Sequence, residues 1–191
     1  MADLELRELN LEEVGRLYRR ELKKTFPPSE RKPLHTIQRH MREGNYRALG
    51  LFQGPELVGY ALLWQRRGEP AGLLDYLGVP EERRGQGYGS ELLARLLGSR
   101  GGDTLLAEVE APEAAEWEER SRRERRLSFY RRAGFQEAGF DCLVFGVHYR
   151  MLAAGPGDPA AWLEAYRALY REQLPRGVYE TFVKIPWNRP D

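Results

Sequence analysis

From Leu4 to Leu9 apolar and charged residues alternate, the two-residue period of a half-buried strand. Asn10 then offers a side-chain oxygen to a helix start, and Glu13 stands where a capping box needs it. Leu11, Val14, Leu17, Tyr18 and Leu22 recur at helical spacing and predict one apolar face, which Pro27 and Pro28 bring to an end. A second helix is predicted from about Pro33 to Gly44, with Leu34, Ile37 and Met41 as its stripe.

The period then changes. Tyr46 to Phe52 and Leu57 to Trp64 are rich in strand formers and are joined by Gln53, Gly54, Pro55 and Glu56, a hairpin pattern. Leu73 to Val79 is apolar enough for a central strand, and Pro80 ends it. A glycine-rich stretch leads into a helix carrying Leu92, Leu93, Leu96 and Leu97, followed by a strand from Thr104 to Val109. A long charged helix is predicted over Pro112 to Ala133, with strands at Phe135 to Val144 and Val147 to Ala153 beyond it. After Gly155, Pro156, Gly157 and Pro159 the pattern predicts a helix from Ala160 to Arg171 and a strand-like tail with Val178, Tyr179, Phe182 and Val183. Strands and helices mixed in this way predict an α/β (α+β) fold, with helices on both faces of one sheet.

The chain of 191 residues has the size of one domain and carries a net charge of +1, so no global field favours nucleic acid or an acidic membrane. Arg heavily outnumbers Lys, which genome composition explains as readily as anion binding. The single cysteine, Cys142, lies in a strand-like run and reads as a buried, inert thiol. His35, His40 and His148 share no metal-ligand spacing with it, and no metal is expected. The N-terminus shows no basic-then-apolar leader, and no run of about 18 apolar residues could span a membrane. The expected setting is the cytoplasm.

Chemistry concentrates in one stretch. The strand Leu73 to Val79 runs through Pro80 into Arg83, Arg84, Gly85, Gln86, Gly87, Tyr88, Gly89 and Ser90, where a helix begins. Glycines at alternate positions let the backbone turn tightly and approach a ligand. Amides at a new helix start lack intrahelical partners and sit at the positive end of the dipole, a place for a pyrophosphate. A P-loop would need Lys and then Ser or Thr after the last glycine, and Ser90-Glu91 stands there instead. A dinucleotide fingerprint would need glycine at Ser90.

Arg84-Gly85-Gln86-Gly87-Tyr88-Gly89 satisfies the Gln/Arg-x-x-Gly-x-Gly/Ala pattern of the GNAT superfamily of acyl-CoA N-acyltransferases, and the chain resembles that family. Leu77-Gly78-Val79-Pro80 before the motif, and Phe129-Tyr130-Arg131-Arg132-Ala133-Gly134-Phe135 after it, look like two further family features. The resemblance covers about Leu4 to Ala153. It implies a mixed, mostly antiparallel central sheet of about six to seven strands flanked by helices on both faces. A GNAT-like N-acetyltransferase domain is expected over residues 1–155, with residues 156–191 as a C-terminal helix and tail packed on it.

The activity implied is transfer of an acetyl group from acetyl-CoA to a primary amine of a small molecule or protein, by direct attack on the thioester. By the same resemblance Leu77, Gly78 and Val79 would bond the pantetheine arm through their backbone. Arg84, Gly85, Gln86, Gly87, Tyr88 and Gly89 would hold the pyrophosphate. Tyr130 matches the usual general acid, a phenol that is protonated at neutral pH; without the motif it would read as a core aromatic on the same helix, and with the motif the catalytic reading is favoured. For the base, Glu108 is the first choice, standing where some ribosomal-protein acetyltransferases of the superfamily carry a Glu. Glu110, on the same side of the strand, and Asp75 are the alternatives, and each could equally be a solvated strand-edge charge. The histone-acetylating branch would place its base at Leu73, so that mechanism does not carry over. Many relatives have an Asn after the fifth strand; here Ala111-Pro112-Glu113-Ala114-Ala115 replaces it and extra residues precede Phe129.

Those extra residues include Glu118-Glu119-Arg120-Ser121-Arg122-Arg123-Glu124-Arg125-Arg126, where mixed signs and i,i+4 pairs favour a solvated helix over a nucleic-acid patch. The tail from Pro159 to Asp191 could cover the acceptor groove or a homodimer contact, and its aromatic residues Tyr179, Phe182 and Trp187 favour packing on the domain. A CoA-binding or regulatory domain without catalysis is the alternative function.

Overall fold

The computed structural model describes residues 4–188. The chain gathers into two compact units, one of the residues up to Glu69 with Leu74–Ser99, the other of Pro70–Leu73 with the chain from Arg100 onward. Strand order across the sheet is β1-β2-β3-β4-β5-β7-β6-β8. The pairs β1–β2, β2–β3, β5–β7, β6–β7 and β6–β8 are antiparallel. The fold is thus the expected α/β class with a mostly antiparallel sheet, though eight strands replace the six to seven expected.

In the first unit β1 (Leu4–Glu8) leads into α1 (Leu11–Leu17), and the capping box forms as the sequence predicts. Glu13 N donates to Asn10 Oδ1 and Asn10 N to Glu13 Oε2, each at 2.9 Å. Such a cap is worth about 1 kcal/mol. The helix continues through a π-helical turn (Tyr18–Leu22) into α2 (Lys23–Thr25). Val14, Leu17, Tyr18 and Leu22 are its buried face. In α3 (Leu34–Arg42) Ile37 is buried as expected, but His40 is the second buried position, with Leu34 and Met41 only half-buried.

The hairpin is β2 (Tyr46–Gln53) and β3 (Glu56–Gln65), in register from Tyr46 opposite Trp64, with Gly54 and Pro55 as its turn. After β4 (Ala71–Gly78) comes α4 (Tyr88–Gly98), which packs on β3 and buries Leu92, Leu93 and Leu96.

In the second unit β5 (Thr104–Glu110) pairs with β7 (Val147–Ala154), and β7 with β6 (Gln136–Val144). The charged helix predicted from Pro112 is shorter: Pro112–Ala114 form a single 3-10 turn, and α5 runs Trp117–Arg132. Asp158 caps α6 (Pro159–Gln173) by accepting from Ala161 N at 2.9 Å, and α6 packs on β6.

The tail corrects the sequence reading. Arg176–Phe182 is a helix, α7, and only Val183–Lys184 (β8) pairs with β6. Pro175 starts it, since Val178 N and Tyr179 N both donate to the Pro175 carbonyl, and local bonding overrides the strand propensity of Val178, Tyr179 and Phe182. Among the described residues no helix is long and apolar enough to cross a membrane.

Candidate functional site

Leu77 to Gly89 fall in the first unit. Beyond Pro80 a 3-10 turn, Glu81–Arg83, sets the chain down on the helix start. Gly85 and Gly87 have φ of +75° and +86°, a left-handed conformation that costs a residue with a Cβ about 1–2 kcal/mol. Gly87 is the N-cap of α4, and no side chain caps it among the described residues. The first intrahelical bond is Glu91 N to Gly87 O at 3.1 Å, so the amides of Tyr88, Gly89 and Ser90 precede the helical ladder. Gly85 to Gly87 are exposed. Bare amides, an exposed approach and the dipole's positive end together make an anion site.

The side chains around this turn hold its shape. Arg84 Nε donates to the Val79 carbonyl at 3.3 Å, and Gln86 Nε2 to the Glu82 carbonyl at 3.2 Å. Tyr88 OH donates to Gln53 Oε1 at 2.8 Å, fixing the first turn of α4 to the hairpin. Arg83 is taken up by Glu56 on β3, its Nε lying 3.0 Å from Oε1, so its charge is offset and Arg84 is the cation left beside the turn. Gly78 has a packing role the sequence did not disclose. A Cβ there would lie 2.1 Å from Tyr60 Cζ, so the buried ring needs a bare backbone at this point.

Asp75, also in the first unit, is far from a solvated strand-edge charge. Its side chain is 9% exposed, with Oδ1 2.6 Å from Lys32 Nζ and Oδ2 accepting from Tyr46 OH. Burial, and then the Asp75 charge, push the Tyr46 phenol well above its ordinary value, so Tyr46 stays a donor. The Lys32 ammonium lies 4.8 Å from the Trp64 ring centre and 6.0 Å from that of Tyr76.

Glu108 and Tyr130 fall in the second unit. Glu108, opposite Met151 on β7, accepts at Oε1 from Tyr166 OH (2.6 Å) and Tyr170 OH (2.7 Å) of α6. Sequence reasoning missed these tyrosines; their i,i+4 spacing marks one helix face, but nothing local says which strand that face meets. Tyr166 also lies 3.1 Å from Cys142 Sγ. Burial, with the Glu108 charge second, raises the pKa of both Tyr166 and Cys142 well above ordinary values, which fits the inert thiol expected.

Glu110 is held by Arg123 (3.3 Å) and Arg126 (3.6 Å), so part of the arginine run secures β5. Arg122 and Arg123 also pair with Glu119, at 3.4 and 3.6 Å. Tyr130 is 7% exposed and lies edge-on between Phe129 and Phe135, with ring centres 5.4 and 5.2 Å away. Burial pushes its phenol up to about 12, an effect Arg126 reduces. No hydrogen bond to its hydroxyl is found among the described residues.

Glu113, Asp141 and His148 bring three possible metal-ligand atoms within 4.8 Å of one another. Arg150 pairs with Glu113 and lies 3.8 Å from Asp141, while His148 Nε2 is 2.7 Å from Asp141 Oδ2. The Arg150 guanidinium supplies positive charge beside both carboxylates.

The model of the acetyltransferase (GNAT) family matches residues 11–135. Comparison with curated sequences gives no match. Among solved structures, a Bacteroides thetaiotaomicron protein assigned as a GNAT-family acetyltransferase superposes with a TM-score of 0.70 at 21% identity, over 88% of this chain and 94% of that one. The ribosomal-protein-S18-alanine N-acetyltransferase of Escherichia coli gives 0.60 at 20%, over 80% and 94%. Spermidine N-acetyltransferase of Vibrio cholerae, in complex with CoA and spermine, gives 0.61 at 13%, over 84% and 99%. At these identities the likeness is one of fold.

Proposed function

The chain belongs to the GNAT family of acetyltransferases, and from that premise we propose that it transfers an acetyl group from acetyl-CoA to a primary amine. The observation that carries this reading is the exposed, uncapped start of α4, where Gly85 and Gly87 at left-handed φ present the amides of Tyr88, Gly89 and Ser90. A diphosphate fits that place in charge and in hydrogen bonding, and Arg84 adds a cation beside it.

The reaction sets three requirements. The amine attacks as the neutral base, the tetrahedral oxyanion needs fixed donors, and the departing thiolate needs a proton. In our reading the backbone of Leu77, Gly78 and Val79 bonds the pantetheine arm, and an amide there polarises the thioester carbonyl. Tyr130 gives its proton to the thiolate; a phenol raised to about 12 remains protonated throughout the neutral range. Glu108 is the proposed base, oriented through Oε1 by Tyr166 and Tyr170. Glu110 is the weaker candidate, because two guanidinium groups already hold it.

Thiol release from acetyl-CoA over a panel of primary amines tests this reading. Turnover with at least one amine is expected. Binding of CoA without turnover on any amine would leave the CoA-binding or regulatory function in its place.

A further inference from the structure

Lys32 lies beside one carboxylate and two aromatic rings. Its Nζ stands 2.6 Å from Asp75 Oδ1, against the face of Trp64 and within reach of Tyr76. A carboxylate backed by aromatic faces is how proteins hold alkylammonium groups. Tyr46 donates to the second carboxylate oxygen and so fixes its plane. The walls are nearly closed to solvent, with Trp64 2%, Tyr46 3% and Tyr76 4% exposed. The Lys32 side chain is 26% exposed, so it is the plug that joins this recess to the surface.

The plug hangs from a separately anchored strap. Lys32 N donates to Tyr76 OH at 2.8 Å, and Tyr18 OH donates to the Lys32 carbonyl at 3.1 Å. Phe26 packs edge-on against Tyr76, and Tyr76 OH donates to the Glu30 carbonyl. The main chain from Phe26 to Lys32 is therefore held without the ammonium, which can leave while the strap stays in place.

We propose that Asp75, Tyr46, Trp64 and Tyr76 form a seat for the alkylammonium group of the acceptor, and that Lys32 occupies it as an intramolecular stand-in until an acceptor displaces it. The word acceptor rests on the transferase reading; the seat does not. The exchange is close to balanced electrostatically, because one ammonium replaces another beside Asp75 while the flexible Lys32 stem returns its charge to water. A tethered occupant acts at an effective concentration in the millimolar range, so it weakens the apparent affinity of every free amine that competes for the seat. It also sets a threshold that favours acceptors whose further contacts add to those of a single ammonium.

The test is calorimetric titration with n-butylammonium, with n-butanol as the uncharged isostere and no CoA present. Lys32→Met should bind n-butylammonium at least about tenfold more tightly than the wild type, since removing the occupant removes the competition. Adding Asp75→Asn should abolish the gain, and n-butanol should show none. A folded Lys32→Met protein with unchanged affinity, or an equal gain for n-butanol, overturns the proposal. The wild type gives a readout that needs no variant: the 15N resonance of the Lys32 ammonium should move with added n-butylammonium and stay with n-butanol. A resonance that stays fixed in both overturns it too. Loss of acetyl transfer on every amine, with this binding intact, would instead remove the transferase reading alone.

Discussion

The hydroxyl of Tyr166 donates to Glu108 Oε1 across 2.6 Å, tying α6 to β5. A helix beyond the span matched by the family model thereby reaches the residue proposed as the base. Removing one donor from a half-buried carboxylate costs about 1.5–3 kcal/mol. Tyr166→Phe should therefore lower stability by that order, read by urea denaturation. If Tyr166 also orients Glu108, kcat should fall while the KM for acetyl-CoA stays within about twofold; unchanged kcat would leave Tyr166 a structural role only.

Tyr130→Phe should lower kcat by about 100-fold or more, the usual worth of a placed acid, with CoA affinity nearly unchanged. The same variant has a stability signature. The folded phenol at about 12 lies above the unfolded value of about 10. Its contribution is complete below pH 10 and is lost as pH rises toward 12. The full loss is on the order of 3 kcal/mol. Urea melts at pH 9 and pH 11 should show a smaller alkaline loss in the variant than in the wild type.

Gly78→Ala places a methyl 2.1 Å from Cζ of the fully buried Tyr60, a separation that forces a shift in the core. A loss of about 1–3 kcal/mol is expected, measurable as a lower midpoint of thermal unfolding. Gly78→Ala/Tyr60→Leu should recover part of it, which separates packing from any contact with pantetheine.

Cys142 is fully buried and its thiol is raised well above the ordinary range. A thiol-specific disulfide reagent at pH 8 should leave it unmodified in the folded protein and label it stoichiometrically in urea. Labelling of the native state would contradict the packing of α6 on β6.

Local signals carried the sequence reading furthest where they complete themselves within a few residues. Asn10 and Glu13 declare a helix start, Gly54-Pro55 declares a hairpin, and Gly85 to Gly89 declare a turn that feeds a helix. Reading failed where the deciding partner is remote or the local bonds are not in the side-chain pattern. Val178, Tyr179 and Phe182 have strand propensity, yet Pro175 gives them a helical start. Asp75 looks like a strand-edge charge until Lys32 and Tyr46 are brought to it by the fold. Nothing near Glu108 in sequence announces Tyr166 and Tyr170, which meet it across a separation of 58 and 62 positions.

Bare amides at the start of α4 are proposed to grip a diphosphate, and acetyl-CoA binding depends on that grip. The most direct test is paired calorimetry of the folded protein with CoA and with pantetheine, which lacks the diphosphate. Saturable 1:1 binding of CoA, with pantetheine at least about a hundredfold weaker, is the result expected for a charge-assisted anion site. Equal affinity for the two, or no heat from CoA at all, would contradict it.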